Sequence, residues 1–184
     1  MMNQEELIAE YKDYHARHAW FCKGSALLKH IPEIARLANM FECKTALDFG
    51  CGKAWFWKLE HWRGILNNAI KKVTLYDPGV EEYKDLPPDT RFDLVICTDV
   101  LEHVHPDETI PTLQKLFLYT RRVLFLNIST VPATKTLSDG TNVHVNLRKK
   151  EEWAKIIDDQ KNWYADKYKT YPAVVVRYDE EINL

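Results

Sequence analysis

Near the start of the chain, Leu7, Ile8, Tyr11, Tyr14 and His15 recur at three-and-four spacing, which predicts a helix over residues 4–19. A second stripe, Leu27, Leu28, Ile31, Ile34, Leu37 and Ala38, predicts a helix from a Ser25 cap to about Met40, kinked or divided at Pro32. The period then changes. Lys44 to Phe49 is short, apolar and closed by glycine, the pattern of a buried parallel strand entering a turn. Trp55 to Ile70 returns to helical spacing. Val73 to Tyr76, Phe92 to Thr98 and Arg122 to Ile128 read as further strands, with a helix predicted over 107–119. Another helix is predicted over 151–159, beginning at the solvated charge cluster 148–152. Trp163–Tyr171 and Ala173–Tyr178 read as two strands turning at Pro172, an antiparallel hairpin on one sheet edge.

Strands alternating with helices imply an α/β fold, with a mostly parallel sheet covered on both faces. The 184 residues suit one domain, divided here into an N-terminal helical cap (1–40) and a core (44–184). A formal net charge of −2 gives no electrostatic footprint for long nucleic acid, which is bound through phosphate-neutralising Lys and Arg. Cys22, Cys43, Cys51 and Cys97 form no CxxC pair, so reduced thiols are expected. The polar, acidic start lacks the features of a signal peptide, and no apolar run approaches the roughly 20 residues of a membrane span. A cytoplasmic protein without membrane attachment is the expectation.

The run Asp48-Phe49-Gly50-Cys51-Gly52 lies between a strand and a predicted helix, where a doubly wound sheet binds its ligand. Glycines there let backbone approach a ligand and tolerate positive φ. A dinucleotide fingerprint would need a small residue where Trp55 stands. A phosphate-binding P-loop would need Ser or Thr after Lys53, where the chain has Ala54. Both are excluded. The stretch Ala46-Leu47-Asp48-Phe49-Gly50-Cys51-Gly52-Lys53-Ala54 does resemble the first motif of the class I S-adenosylmethionine-dependent methyltransferases, with Ala54 in place of the last glycine. Asp77 matches the family's acidic position after the second strand, and Phe92 to Val104, ending Val-Leu-Glu-His-Val, resembles its fourth-strand motif. The overall layout resembles small methyltransferase-like proteins of bacteria and their viruses, which also carry a later Asp-Gly-x-x-x-His, here Asp139 to His144.

This resemblance implies a Rossmann-like three-layer sandwich using S-adenosylmethionine as cofactor. It assigns cofactor binding to Asp48, Gly50, Cys51 and Gly52, with Asp77 on the ribose hydroxyls. Pro78, Thr98 and Asp99 are the candidates for the adenine side, and Gly24 and Ser25 for the methionyl carboxylate. Only residues 78–91 separate Asp77 from the next strand, too few for the family's full helix-and-strand unit, so a reduced sheet with a shortened or missing third strand is expected. The aromatic N-terminal segment, including Tyr11, Tyr14, His15, His18, Trp20 and Phe21, reads either as a lid or as ordinary core.

Methyl transfer relies on positioning, and needs a base only where the acceptor must lose a proton. Asp99, His103 and His144 are the catalytic candidates. A helix beginning near Asp99 would place Asp99, Glu102 and His103 on one face, and with His144 they could form a carboxylate–imidazole metal site. The reading adopted at this level is a pocket wall without metal. The acceptor is a small molecule or a polymer-linked group. Two other functions fit the same motifs: a lyase-type enzyme on the same cofactor, and a catalytically silent binding module.

Overall fold

Apolar residues alternate between the two faces of each central strand, and the computed structural model covers both faces accordingly. It describes residues 2–17, 24–66, 69–86, 88, 90–169 and 171–179. The strands are β1 (Thr45–Phe49), β2 (Lys72–Tyr76), β3 (Phe92–Thr98), β4 (Thr120–Ser129) and β5 (Ala173–Asp179). They form one sheet in the order β2-β1-β3-β4-β5, and every neighbouring pair is parallel. The helices are α1 (Gln4–Arg17), α2 (Leu27–Met40), α3 (Trp62–Ile65), α4 (Thr109–Tyr119) and α5 (Lys150–Tyr168).

On one face Ala46, Leu94, Ile96, Val123 and Phe125 pack against α2 and against Trp57 and Trp62. On the other, Leu47, Val95, Cys97, Leu124 and Leu126 meet Leu113, Leu116 and Phe117 of α4 and Trp153, Ile157 and Tyr164 of α5. Each fully buried Leu or Phe contributes about 1.5–3 kcal/mol of transfer free energy, so these two layers dominate the stability of the fold. A third, smaller cluster joins Leu7 of α1 to Leu137 and Val143 of the loop after β4. No helix among the described residues is long and apolar enough to cross a membrane.

From β1 the chain steps outward to β2, then returns to the far side of β1 as β3. The strand order therefore reverses between β1 and β3, and a crevice opens at their carboxyl ends. Among the described residues between β2 and β3 there is only one 3-10 turn, Glu81–Tyr83, and no further strand of them extends the edge beyond β2, as the short 78–91 segment leads one to expect.

Four local expectations are corrected. The final hairpin does not exist, because Trp163 to Tyr168 continues α5 and β5 pairs with β4 in parallel. Trp153, Ile157, Gln160 and Tyr164 form one buried helical stripe, and that stripe outweighs the strand-like aromatic run. The predicted 55–70 helix is instead a 3-10 turn at Phe56–Lys58 and the single turn α3, broken where Leu59 adopts extended backbone. Phe56, Trp57 and Trp62 all enter the same core, which an unbroken helix could not arrange. The second helix starts from Ala26 rather than a Ser25 cap and runs undivided through Pro32. Residues 99–103 form no α-helix; a 3-10 turn begins at Leu101. His18, Trp20, Phe21 and Cys22 lie outside the described residues.

Candidate active site

The glycine turn after β1 is drawn across to β2 by two backbone bonds, from the Gly50 and Cys51 amides to the Tyr76 carbonyl (2.7 and 3.0 Å). Gly50 has φ +82°, and a Cβ there would stand 2.2 Å from Val100 Cγ2. The turn can pass the β3 end only because this side chain is absent. Gly24, at φ +72°, meets the same turn from the N-terminal side, where a Cβ would stand 2.3 Å from the Cys51 carbonyl oxygen. Ala54 also has positive φ, 55°, at a cost of about 1 kcal/mol. That strain explains why the resembling family favours glycine at this position, and Ala, the smallest alternative, accepts it.

Asp48 lies beneath the turn, 3% exposed, and accepts the Trp57 indole N–H at 2.6 Å. Burial pushes its carboxyl up to about 7, against the stabilising Trp57 bond, with the nearby negative Asp77 adding to the rise. Asp77, one residue past β2, accepts the Gly52 amide on Oδ2 (2.8 Å) and the Gly79 amide on Oδ1 (2.9 Å). One carboxylate thus ties both glycine loops together and keeps a further lone pair on each oxygen.

These elements open into a cavity of about 470 Å³. Of the residues singled out in the sequence, Gly24, Ser25, Gly50, Gly52, Asp77, Pro78, Thr98, Asp99, His103 and His144 all line it. Asp48 and Cys51 do not. Asp48 supports the turn from below, and the buried Cys51 thiol, its ionisation strongly opposed by burial, donates to the Gly52 carbonyl at 3.4 Å. A more open depression of about 500 Å³ around Thr45, Lys72 and Arg91, at the opposite end of the strands, gathers no comparable set of reactive groups.

Sequence reasoning left open whether the α1 stripe is lid or core. In the structure Ile8, Tyr11, Tyr14 and His15 line the cavity as its roof, while Leu7 packs away from it. His15 Nδ1 is buried without a hydrogen-bond partner, and burial lowers the ring's pKa against the opposing pull of Asp77. Lys135 and Val143, from the loop after β4, also line the cavity; nothing in the local sequence pattern marks them.

At the far end of the cavity, Asp99 sits at φ 54° with its Oδ1 accepting from Asn127 Nδ2 at 2.5 Å. Asp99 stands outside the group that Glu102, His103 and His144 form, and with no α-helix over 99–103 the expected shared helical face does not arise. Burial raises the Asp99 pKa. Glu102, fully buried, is pushed to about 8 by burial and then by Asp99. His103 is lowered to about 4, by burial first and the neighbouring His144 second, and is therefore neutral at physiological pH. His103 Nδ1 donates to the Val143 carbonyl (2.9 Å) and His144 Nδ1 to the Val131 carbonyl (2.7 Å). A carbonyl can only accept, so each Nδ1 carries a proton and Nε2 is the ring nitrogen left without one of these bonds; in the neutral His103 ring the lone pair is on Nε2. The two rings meet edge to face at 4.8 Å. The Val143 carbonyl also accepts the Tyr11 hydroxyl at 2.8 Å, which joins the roof to this end of the site.

A family model for the methyltransferase domain matches residues 15–168. No curated protein and no solved structure matches the chain. The match spans β1 to β4, the glycine turn, Asp77 and the histidine end of the cavity, and the chain belongs to the methyltransferase-domain family.

Proposed function

We propose that this enzyme transfers a methyl group from S-adenosylmethionine to an acceptor that enters at the Asp99, His103 and His144 end of the cavity. The observation that carries the reading is the continuity of one cavity from Gly24, Gly52 and Asp77 to the two imidazoles. Its volume of about 470 Å³ suits one extended nucleoside-amino acid conjugate. When bound, the cofactor supplies an electrophilic methyl carbon on a sulfonium. Everything else falls to the chain: to hold, align and exclude water.

Asp77 takes the vicinal ribose hydroxyls on its remaining lone pairs, with the unpartnered His15 Nδ1 close by. Gly24 and Ser25, just before α2, take the amino-acid carboxylate. Pro78, Thr98 and Asp99 bound the adenine side, and α1 stands over it in place of the missing sheet unit. Asp48 and Cys51 serve from behind, by fixing the turn. The acceptor, a small molecule or a polymer-linked group, meets the Nε2 atoms of His103 and His144. Buried Cys43, Cys51 and Cys97 thiols support work in the reducing cytoplasm.

Incubation with methyl-labelled S-adenosylmethionine and a panel of acceptors tests this. Label recovered in an acceptor, with S-adenosylhomocysteine formed in equal amount, is the expected result. Cofactor breakdown without transfer would make the enzyme a lyase. Binding without turnover across the panel would mark a silent module.

A further inference from the structure

We propose that Glu102, His103 and His144 form a divalent-cation site at the acceptor end of the cavity. One ligand atom from each lies within 4.8 Å of the others. Asp99 stands outside this set, its carboxylate engaged by Asn127.

Three independent features fit a cation. Glu102 is wholly buried; its Oε1 accepts the Ser129 amide at 3.0 Å, but Oε2 has no partner at all. A buried carboxylate oxygen without a donor is costly unless something positive satisfies it. Both imidazoles donate Nδ1–H to backbone carbonyls, which fixes their tautomers and leaves Nε2 for coordination. That outer-shell arrangement is the one that orients histidine ligands in metal sites. Finally, the frame is rigid on one side and adjustable on the other. Glu102 and His103 are adjacent on the Leu101–His103 turn, held by Asn146, whose amides donate to the Glu102 and Leu101 carbonyls (3.0 and 3.1 Å). His144 is half-buried in a loop. Ligands bound at about 2.1 Å from one cation lie roughly 3.4 Å apart, so a small inward movement of His144 closes the set.

Two imidazoles and one carboxylate suit a transition cation, Zn²⁺ first and Mn²⁺ after it, better than Mg²⁺ or Ca²⁺, which favour all-oxygen ligand sets. With three protein ligands, coordination positions stay open towards the cavity. This deepens the methyl-transfer reading and rests on it in one respect: the acceptor class becomes a hydroxyl whose oxygen the cation binds. That hydroxyl gives its proton to solvent, its oxygen bonds to the methyl carbon, and the carbon–sulfur bond breaks with its electrons left on sulfur. This proposal departs from the metal-free wall expected from sequence.

The test uses the full chain stripped with chelator, then dialysed against ZnCl₂, MnCl₂ or MgCl₂, with bound metal counted per chain. One Zn²⁺ or Mn²⁺ per chain is expected, and little Mg²⁺. His144→Gln should weaken uptake by about 10-fold or more with an unchanged circular dichroism spectrum. Glu102→Gln should do the same if it folds, and the exposed His61→Gln should retain the metal. No stoichiometric uptake, preference for Mg²⁺, or uptake indifferent to His144→Gln overturns the site. S-adenosylhomocysteine titrated into the wild-type chain separates the two readings. Normal binding without metal uptake sinks the cation site alone; loss of both sinks the cavity assignment as well.

Discussion

Trp57 donates its indole N–H to Asp48 at 2.6 Å, and both side chains are buried beneath the glycine turn. The carboxyl is raised to about 7 by burial, so the folded state binds a proton that the unfolded chain releases near pH 4. Stability contributed at this position is therefore greatest below about pH 4, falls as pH rises to about 7, and is flat above. Asp48→Asn keeps an acceptor for Trp57 and removes the charge. Thermal unfolding should show the variant more stable than wild type above pH 7, by about 1–2 kcal/mol or roughly 3–6 °C, with the difference vanishing near pH 4. Equal slopes for the two proteins between pH 4 and 7 would contradict this.

Gly50 and Val100 compete for one space. Gly50→Ala should destabilise by about 2–4 kcal/mol, from a Cβ 2.2 Å from Val100 Cγ2 plus positive-φ strain. Gly50→Ala with Val100→Ala should recover part of the loss and leave the roughly 1 kcal/mol of backbone strain. Denaturant unfolding of the four-protein cycle measures the coupling. Strict additivity would show that the contact is not the cause.

Tyr11 reaches from the roof to the Val143 carbonyl, the same oxygen that orients His103. Tyr11→Phe should cost about 1 kcal/mol and raise amide exchange in α1. The off-rate of S-adenosylmethionine should rise more than the on-rate changes, because the lost bond holds the closed roof. Stopped-flow binding reads both rates. An on-rate effect alone would assign Tyr11 to cofactor entry instead.

The central strands were readable because their apolar runs are short and bounded by Gly, Asp and Pro. The missing sheet unit was readable from chain length alone. The helical identity of Trp163 to Tyr168 was hidden by aromatic residues that suit strands, although the spacing Trp153, Ile157, Gln160, Tyr164 already carried the helical period. At the site, Gly50 and Asp77 followed from local motifs. The engagement of Asp99 by Asn127 did not, because that partner lies on β4, 28 residues on. The pairing of His103 with His144 was legible only as a possibility, since 40 residues separate the His103 ring from the Val143 carbonyl that orients it.

The central claim is that the glycine turn and Asp77 hold S-adenosylmethionine, and isothermal calorimetry on the full chain tests it most directly. One site per wild-type chain is expected. Asp77→Asn, which puts an amide NH₂ where Gly52 or Gly79 donates, should bind at least about 10-fold more weakly while still unfolding cooperatively. No binding heat from the wild type, or equal affinity in a folded Asp77→Asn variant, would contradict it.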